Sequence, residues 1–428
     1  MAYAERRGKT WRAKYKKPGG TWGSGSGFKT KAAALAWARD QETDIRRYTW
    51  IDPAQAEQKF GPFAEKVFAD ARLAKNTREK CRSYLDVHIL PQWKDWTLGA
   101  IFDGHMEIRA WSTRLHARLA EPTVTAIFYY FSHILEEAVR ARKIPGNPAR
   151  MVRVTSGEYE AEHQVATPLQ VLRASMRLYE SFGQTGMVFA LFNSYTGMRW
   201  SEQIALHSCD YDELGHAVPV RAPVAETSRG KIYVTSKPKT PTSKRWIQLP
   251  PFLDALYVDL KISRPQGPVF AAQRGGWLRR NNFRSGHWRP AWDGVPEREK
   301  TWMRQPLLEG ITFHEAGRHT HRTWLAEDEI PEVARAARLG HKVPGMARVY
   351  EHVTPRMQER ILCVLELRWA GSVAALTSVE RERLFTMSPL LEEHYQKAAT
   401  SKLLGSQSAA DLPNISHLRE IRGQENTE

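Results

Sequence analysis

Two proline-bearing breaks constrain this chain more than any other feature. Asp52-Pro53 and the run Pro145-Gly146-Asn147-Pro148 fall where neither a helix nor a central strand can continue. With 428 residues, and about 150 per domain, there is room for roughly two to four cores, and the breaks say where they separate. No internal repeat links the pieces.

The pieces differ in pattern. In the first, AYAER, TWRAKYKK and TWGSGSGF read as three short strands joined at Arg7-Gly8-Lys9 and Pro18-Gly19-Gly20, where glycine supplies the positive φ of hairpin turns. Thr30 caps a helix from Lys31 to about Arg46, expected to bury Ala33, Leu35, Ala36, Trp37 and Ile45 against the sheet. The second piece holds helix-like segments only. Thr77 offers a cap to one, and Glu121-Pro122 opens a long one in which Ile127, Phe128, Phe131, Ile134, Leu135 and Val139 recur at helical spacing. An aromatic run such as Phe128 to Phe131 can stack bases, but this spacing favours core packing. From 165 onward helices are interrupted by the strand-like KIYVTSK and RWIQLP.

The expected fold class is therefore multidomain. A small three-stranded sheet plus helix spans 1–52, an all-α unit 58–152, and a mainly α (α+β) domain 165–370. In the tail, 371–428, VAALTSVERERLF and LLEEHYQKAA read as amphipathic helices suited to docking on a neighbouring subunit, followed by about fifteen disordered residues.

Charge narrows the partner. The 63 Lys+Arg exceed the 47 Asp+Glu by 16, a balance suited to a polyanion. Residues 1–50 carry twelve basic and four acidic side chains, so half of the net charge sits there. Trp11, Arg12, Lys14, Lys16, Lys17 or their alternating neighbours are expected to face a groove. No run approaches the ~18 apolar residues of a membrane span, and MAYAERRGKTW lacks the apolar core of a secretory signal. A cytoplasmic protein without a membrane partner is expected. Cys81, Cys209 and Cys363 lie far apart without CxxC spacing, so neither a disulfide framework nor a metal site is expected.

Three clusters carry chemistry. In Tyr195-Thr-Gly-Met-Arg-Trp-Ser-Glu202, Gly197 ends an apolar helix and a new helix opens near Arg199. A guanidinium beside a helix N-terminus suits a phosphate, although Glu202 is near enough to pair with it. Ser236 to Pro250 reads as two short strands with a lysine-bearing turn between them, from which Lys237, Lys239 and Lys244 are equally able to enter a groove. Finally, Phe313-His-Glu-Ala-Gly-Arg-His-Thr-His-Arg322 places His314, Arg318 and His321 or Arg322 at nearby helical positions. No HExxH pattern is present, so an anion site is favoured over a metal. Pro331 opens a further helix, broken at Leu339-Gly-His341, and Tyr350 follows.

In this order, Thr196-Gly-Met-Arg-Trp-Ser-Glu202, Lys239-Thr, His314 with Arg318-His-Thr, Leu339-Gly-His341 and Tyr350 resemble the tyrosine recombinase family, specifically phage-type integrases of actinobacterial hosts. The resemblance covers most of the chain. It implies an arm-type DNA-binding sheet at 1–52, a helical core-binding domain at 58–152 and a catalytic domain at 165–370. It also implies that Arg199 and Arg318 clamp the scissile phosphate, Lys239 is the hairpin lysine, His314 and His341 complete the pocket, and Tyr350 is the nucleophile.

The implied reaction is transesterification through a 3′-phosphotyrosine, with a free 5′ hydroxyl and a Holliday-junction intermediate. Bond energy stays in the phosphotyrosine, so no cofactor is required. The implied partners are double-stranded attachment-site DNA, three further copies in a homotetramer on DNA, a host bending factor and an excision factor. A type IB-like topoisomerase shares this chemistry, and a DNA-binding protein with a decayed site is the non-enzymatic alternative. One departure stands out: the family places the histidine three residues before the second arginine, and here His314 and Arg318 are four apart. On a regular helix the extra residue rotates one side chain by about 100° relative to the other.

Overall fold

The structure, a computed structural model, describes residues 2–47, 50–154, 163–227, 230–235, 244–296, 304–341 and 352–405. The chain forms two compact units, Met1–Ala161 and Glu162–Glu428.

In the first unit the strands Tyr3–Arg7, Thr10–Lys16 and Trp22–Phe28 pair antiparallel in chain order. Alternation along the middle strand sends Ala13 and Tyr15 into the core under the helix Lys31–Arg46. The Thr30 hydroxyl caps that helix, accepting from the Ala33 N–H at 3.1 Å. With the cap there, Ala34 and Ala38 are the fully buried positions, and Trp37 and Ile45 pack beside them. Ala33 and Ala36, expected inside, are exposed, because the inward stripe of this helix runs through Ala34 and Ala38 instead. Gly25 is needed where it is: a Cβ there would meet the Trp37 ring at 2.8 Å.

The rest of this unit is helical, with Phe60–Asp70, Lys75–Tyr84, His105–His116 and Glu121–Arg140 as its principal helices. They close on an aromatic centre in which Trp93 stacks on Phe131 at 5.3 Å and Trp111 meets the same ring edge-on at 5.1 Å. Phe128 and Phe131 are core residues, as their spacing required, whereas Tyr129 is exposed. Thr77 lies inside its helix instead of capping it, since the helix opens at Lys75, after Ala74.

In the second unit the helix Pro168–Thr196 forms the spine, bent at Gly183, where φ is 66°. Around it gather Phe189, Phe192, Tyr195, Trp288, Trp292, Trp324 and Trp369 in one apolar core. The strand segments differ from expectation. Arg245–Gln248 pairs with Ala217–Val220, and Ile232–Val234 pairs with Val224–Glu226. The two strands flanking 236–243 thus belong to different two-stranded sheets, because each finds its partner in the preceding segment. Residues 236–243 themselves lie outside the described residues.

The tail also departs from expectation. The boundary expected at 370 falls inside the helix Pro355–Ala374. The next two helices, Ser378–Met387 and Pro389–Gly405, pack on their own unit: Leu384 and Leu391 join the same core as Trp369. Arg173 holds Glu380 at 2.8 Å and His394 meets Glu366 at 2.6 Å. Leu384 and Leu391, with Phe385, Met387 and Tyr395 beside them, are therefore covered within their own unit. The stretch expected to be disordered lies outside the described residues. Among the described residues no helix is long and apolar enough to cross a membrane.

Candidate active site and nucleic-acid interface

The site is built where three chain segments end. The spine helix stops at Gly197 in the left-handed conformation, φ 62°, with its N–H donating to the Asn193 carbonyl at 3.1 Å. This turn places Arg199 at the N-cap of the short helix Trp200–Gln203. The Arg199 guanidinium is 40% exposed and donates to Glu202 Oε1 at 2.8 Å, so the local pair admitted by the sequence does form.

Arg318 comes from the second segment. Glu315–His319 is a π-helical turn leading into the helix Thr320–Glu327. A π turn takes up one residue more than an α turn, which is how the four-residue spacing from His314 to Arg318 is accommodated. Two neighbours stabilise it. Thr320 donates both its backbone N–H and its hydroxyl, the latter at 2.7 Å, to the Glu315 carbonyl, and the Ser194 hydroxyl donates to the Ala316 carbonyl at 2.7 Å. Gly317 permits the close approach, since a Cβ there would lie 2.5 Å from Asn193 Oδ1. The glycine serves packing rather than a hinge.

The third segment is the helix Glu332–Leu339, ended by Gly340 at φ 65° and followed by His341. Arg318 is buried and grips this end. It donates from Nη2 to the Leu339 carbonyl, from Nη1 to the Gly197 carbonyl at 3.2 Å, and from Nε to His341 Nε2 at 3.2 Å. Accepting at Nε2 fixes His341 as the Nδ1–H tautomer.

The charges act on one another. Burial, and after it the Arg199 charge, lower the Arg318 pKa to about 9, still cationic at neutral pH. Burial, then His319, Arg318 and Arg199, push His314 down to about 4. Burial followed by Arg318, Arg322 and Arg199 does the same to His341, also to about 4. Both imidazoles are therefore neutral at pH 7, and the acceptor nitrogen of His341 is already taken by Arg318. The structure thus brings Arg199, His314, Arg318 and His341 into one electrostatic neighbourhood. Lys237, Lys239 and Tyr350 lie outside the described residues, and Lys244 adjoins the strand Arg245–Gln248.

Mild acid should therefore weaken the fold around these imidazoles. As pH falls from the ordinary imidazole value of 6.5, the unfolded chain takes up protons before the folded one does, because both folded values are lowered to about 4. The stability these two groups contribute is full above 6.5 and is lost progressively toward 4. Urea melts between pH 8 and 4 are expected to show that decline, and a shallower decline in the double variant His314→Gln, His341→Gln checks the assignment, the remainder belonging to His88, His287, His319 and His321, whose values burial also lowers.

Two pairings at the site were not foreseen from the sequence. Arg245, almost fully buried, donates to the other Glu202 oxygen at 3.0 Å. Fully buried His321 donates from Nδ1 to the Ser194 carbonyl at 2.9 Å and accepts from Arg338 Nε at 3.0 Å, which locks Arg338 beneath the site. Both pairings are long-range, and only the basic character of these residues was visible in the sequence.

A second basic surface lies on the N-terminal sheet. The face opposite the helix carries Tyr3, Glu5, Arg12, Lys14, Lys16 and Trp22, aligned by the register Tyr3↔Lys14, Glu5↔Arg12 and Lys16↔Trp22. Glu5 sits among the cations, 3.8 Å from Arg12 and 3.9 Å from Lys14. Trp11 turns to the helix side instead and packs in the core. Lys17 is held by Asp52 at 2.6 Å, at the end of the domain rather than on the open face.

The fold of this chain matches solved transposon integrases. The Tn1549 transposon integrase in complex with circular intermediate DNA superposes with a TM-score of 0.53 at 18% identity, covering 71% of this chain and 98% of that one. The same integrase with transposon right end DNA gives 0.52 at 17%, with 71% and 98% covered. The likeness extends over 71% of this chain, which itself comprises a small sheet plus helix, an all-α middle segment and a mixed α/β C-terminal unit.

In sequence, the chain is 26% identical over 249 residues to the prophage phiRv2 integrase of Mycobacterium tuberculosis, matching 57% of this chain and 64% of that relative's length. It is 22% identical over 352 residues to the integrase of Mycobacterium phage L5, spanning 78% of this chain and 88% of that one. No family model matches the sequence. In sequence the chain is thus similar to integrases of phages and prophages, and in fold to a transposon integrase.

Proposed function

We propose that this protein is a site-specific DNA recombinase that cleaves and rejoins DNA through a 3′-phosphotyrosine and integrates phage or mobile-element DNA. The observation that carries this reading is the meeting of two guanidiniums, Arg199 and Arg318, with the two neutral imidazoles His314 and His341 at the ends of three helices. In this reading the Tyr350 oxygen attacks the phosphorus, the bond to the 5′ oxygen breaks, and Lys239 gives that oxygen its proton. The two arginines neutralise charge growing on the non-bridging oxygens. A free phenol has a pKa near 10, so it needs an acceptor at neutral pH, and His314, uncharged there, supplies one.

The partners in this reading are attachment-site DNA and three further copies of the chain on DNA, with a bending factor and an excision factor as accessories. Domain roles follow the same division: residues 1–52 for outer arm sites, 58–152 for the core site and the second unit for catalysis. The π turn supports an intact site over a decayed one, because it absorbs the extra residue ahead of Arg318. A topoisomerase reading keeps one observation in its favour, the tail helices packed in cis.

The test uses nicked suicide duplexes of randomised sequence. The full chain is expected to yield a covalent adduct whose tryptic peptide maps to Tyr350, with a free 5′ hydroxyl on the released strand and selection of particular sequences. Adducts without sequence selection, together with relaxation of plasmids lacking any site, would favour the topoisomerase. DNA binding with no adduct would favour the decayed site.

The N-terminal sheet makes its own prediction. Replacing Arg12, Lys14 and Lys16 by alanine is expected to weaken binding to arm-site DNA and to flatten the plot of log affinity against log salt by as much as about 2.7, about 0.9 for each phosphate no longer neutralised. An unchanged slope in fluorescence-anisotropy titrations would count against an arm-binding role for this face.

A further inference from the structure

Arg245 opens the second strand of the 236–250 segment and was not singled out there, yet it connects the elements that meet at the site. The Glu202 side chain is 4% exposed and lies between two guanidiniums. Its Oε1 accepts from Arg199 Nη1 at 2.8 Å, and its Oε2 accepts from Arg245 Nη2 at 3.0 Å and from the Arg199 backbone N–H at 3.1 Å. Arg245 also donates from Nε to the Arg338 carbonyl at 2.6 Å. The adjoining carbonyl, that of Leu339, takes Arg318. One side chain on the strand Arg245–Gln248, which begins just after 236–243, therefore joins the acid that holds Arg199 to the helix end that Arg318 grips.

Charge decides what this junction is for. A single carboxylate is shared between two cations, and of the two only Arg199 faces outward, at 40% exposure against 7% for Arg245. Without Arg245, the same carboxylate, closed off from water, would draw on Arg199 alone. An arginine neutralised in that way has little charge left for an incoming anion.

We propose that Arg245 is a positioning residue: by occupying one oxygen of Glu202 it leaves Arg199 with charge and N–H groups to offer a phosphate. This rests on the reading of the site as a phosphate clamp given above. The alternative is a buried ion pair that serves the fold alone, and the two differ in the sign of a double substitution.

The full chain and its variants R245Q, E202Q and E202Q/R245Q are compared by calorimetric titration with inorganic phosphate at low salt, and by the rate of adduct formation on the nicked duplex pool. R245Q is expected to weaken phosphate binding about tenfold and to slow adduct formation about a hundredfold, the scale of a misplaced site group. E202Q/R245Q is expected to recover most of both losses, because removing the acid's charge frees Arg199. E202Q alone should bind phosphate at least as tightly as the parent, which keeps the test open should R245Q fail to fold.

A double variant no better than R245Q, an R245Q affinity equal to the parent's, a weakened E202Q, or no measurable phosphate affinity in the parent overturns the proposal. Should the parent show this order of phosphate affinities and form no adduct on any duplex, the strand-transfer reading fails and the role of Arg245 stands.

Discussion

Arg318→Gln is expected to lower the rate of adduct formation about a thousandfold while changing stability by at most about 2 kcal/mol in either direction. Two effects on stability oppose each other. The substitution leaves the Gly197 and Leu339 carbonyls short of their donors, and His341 Nε2 as well. It also removes a buried cation that has no carboxylate among those hydrogen-bond partners and whose pKa burial has lowered to about 9. Catalysis has no such compensation. In the proposed reaction the missing fork is one of two cationic donors for charge that develops in the transition state, and a thousandfold corresponds to about 4 kcal/mol at about 1.4 kcal/mol per factor of ten. Rapid-quench kinetics on nicked duplexes, paired with urea melts, separate the two effects. A loss of rate matched by an equal loss of stability would reduce Arg318 to a structural role.

Gly197→Ala is expected to destabilise the second unit by about 3 kcal/mol. About 1 kcal/mol comes from holding a non-glycine residue at positive φ, here 62°. The rest is overlap: the new Cβ would lie 2.7 Å from Leu339 Cδ2 and 2.9 Å from the His321 ring, in a packed region where overfilling costs about 1–3 kcal/mol. Gly8→Ala provides the control. Its φ of 61° is nearly the same, but nothing lies within 4 Å of the added carbon, so only the backbone contribution of about 1 kcal/mol should appear. Differential scanning calorimetry of both variants checks the contrast. Equal effects would mean that the helix ends around Gly197 do not pack as described.

Much of the local structure was legible because its causes are local. Thr30, Gly197 and Gly340 mark helix ends through a hydroxyl or a left-handed backbone, and alternation on the middle strand sends Ala13 and Tyr15 inward. Legibility failed where phase or partner depended on something distant. The first helix begins at the cap expected, yet buries Ala34 and Ala38 rather than Ala33 and Ala36, because which stripe of an alanine-rich turn faces inward is set by the sheet it packs on. The strands on either side of 236–243 pair outward with earlier segments. The tail helices carry faces that suit a neighbour as well as their own domain, and only packing against Trp369 decides between them.

The same division runs through the site. By itself the sequence determined that two arginines and two histidines stand near helix ends in a strongly basic chain, since residue type, glycine stops and net charge need no tertiary information. Only the tertiary structure decided which oxygens each guanidinium meets: Arg318 reaches a carbonyl 121 positions away, and Glu202 is shared with an arginine 43 positions away. It also decided that the four-residue step from His314 to Arg318 runs through a π turn packed against Asn193 and Ser194. A hydrogen bond is fixed by where two chain segments arrive together, and that position is a property of the packed core rather than of any spacing along the chain.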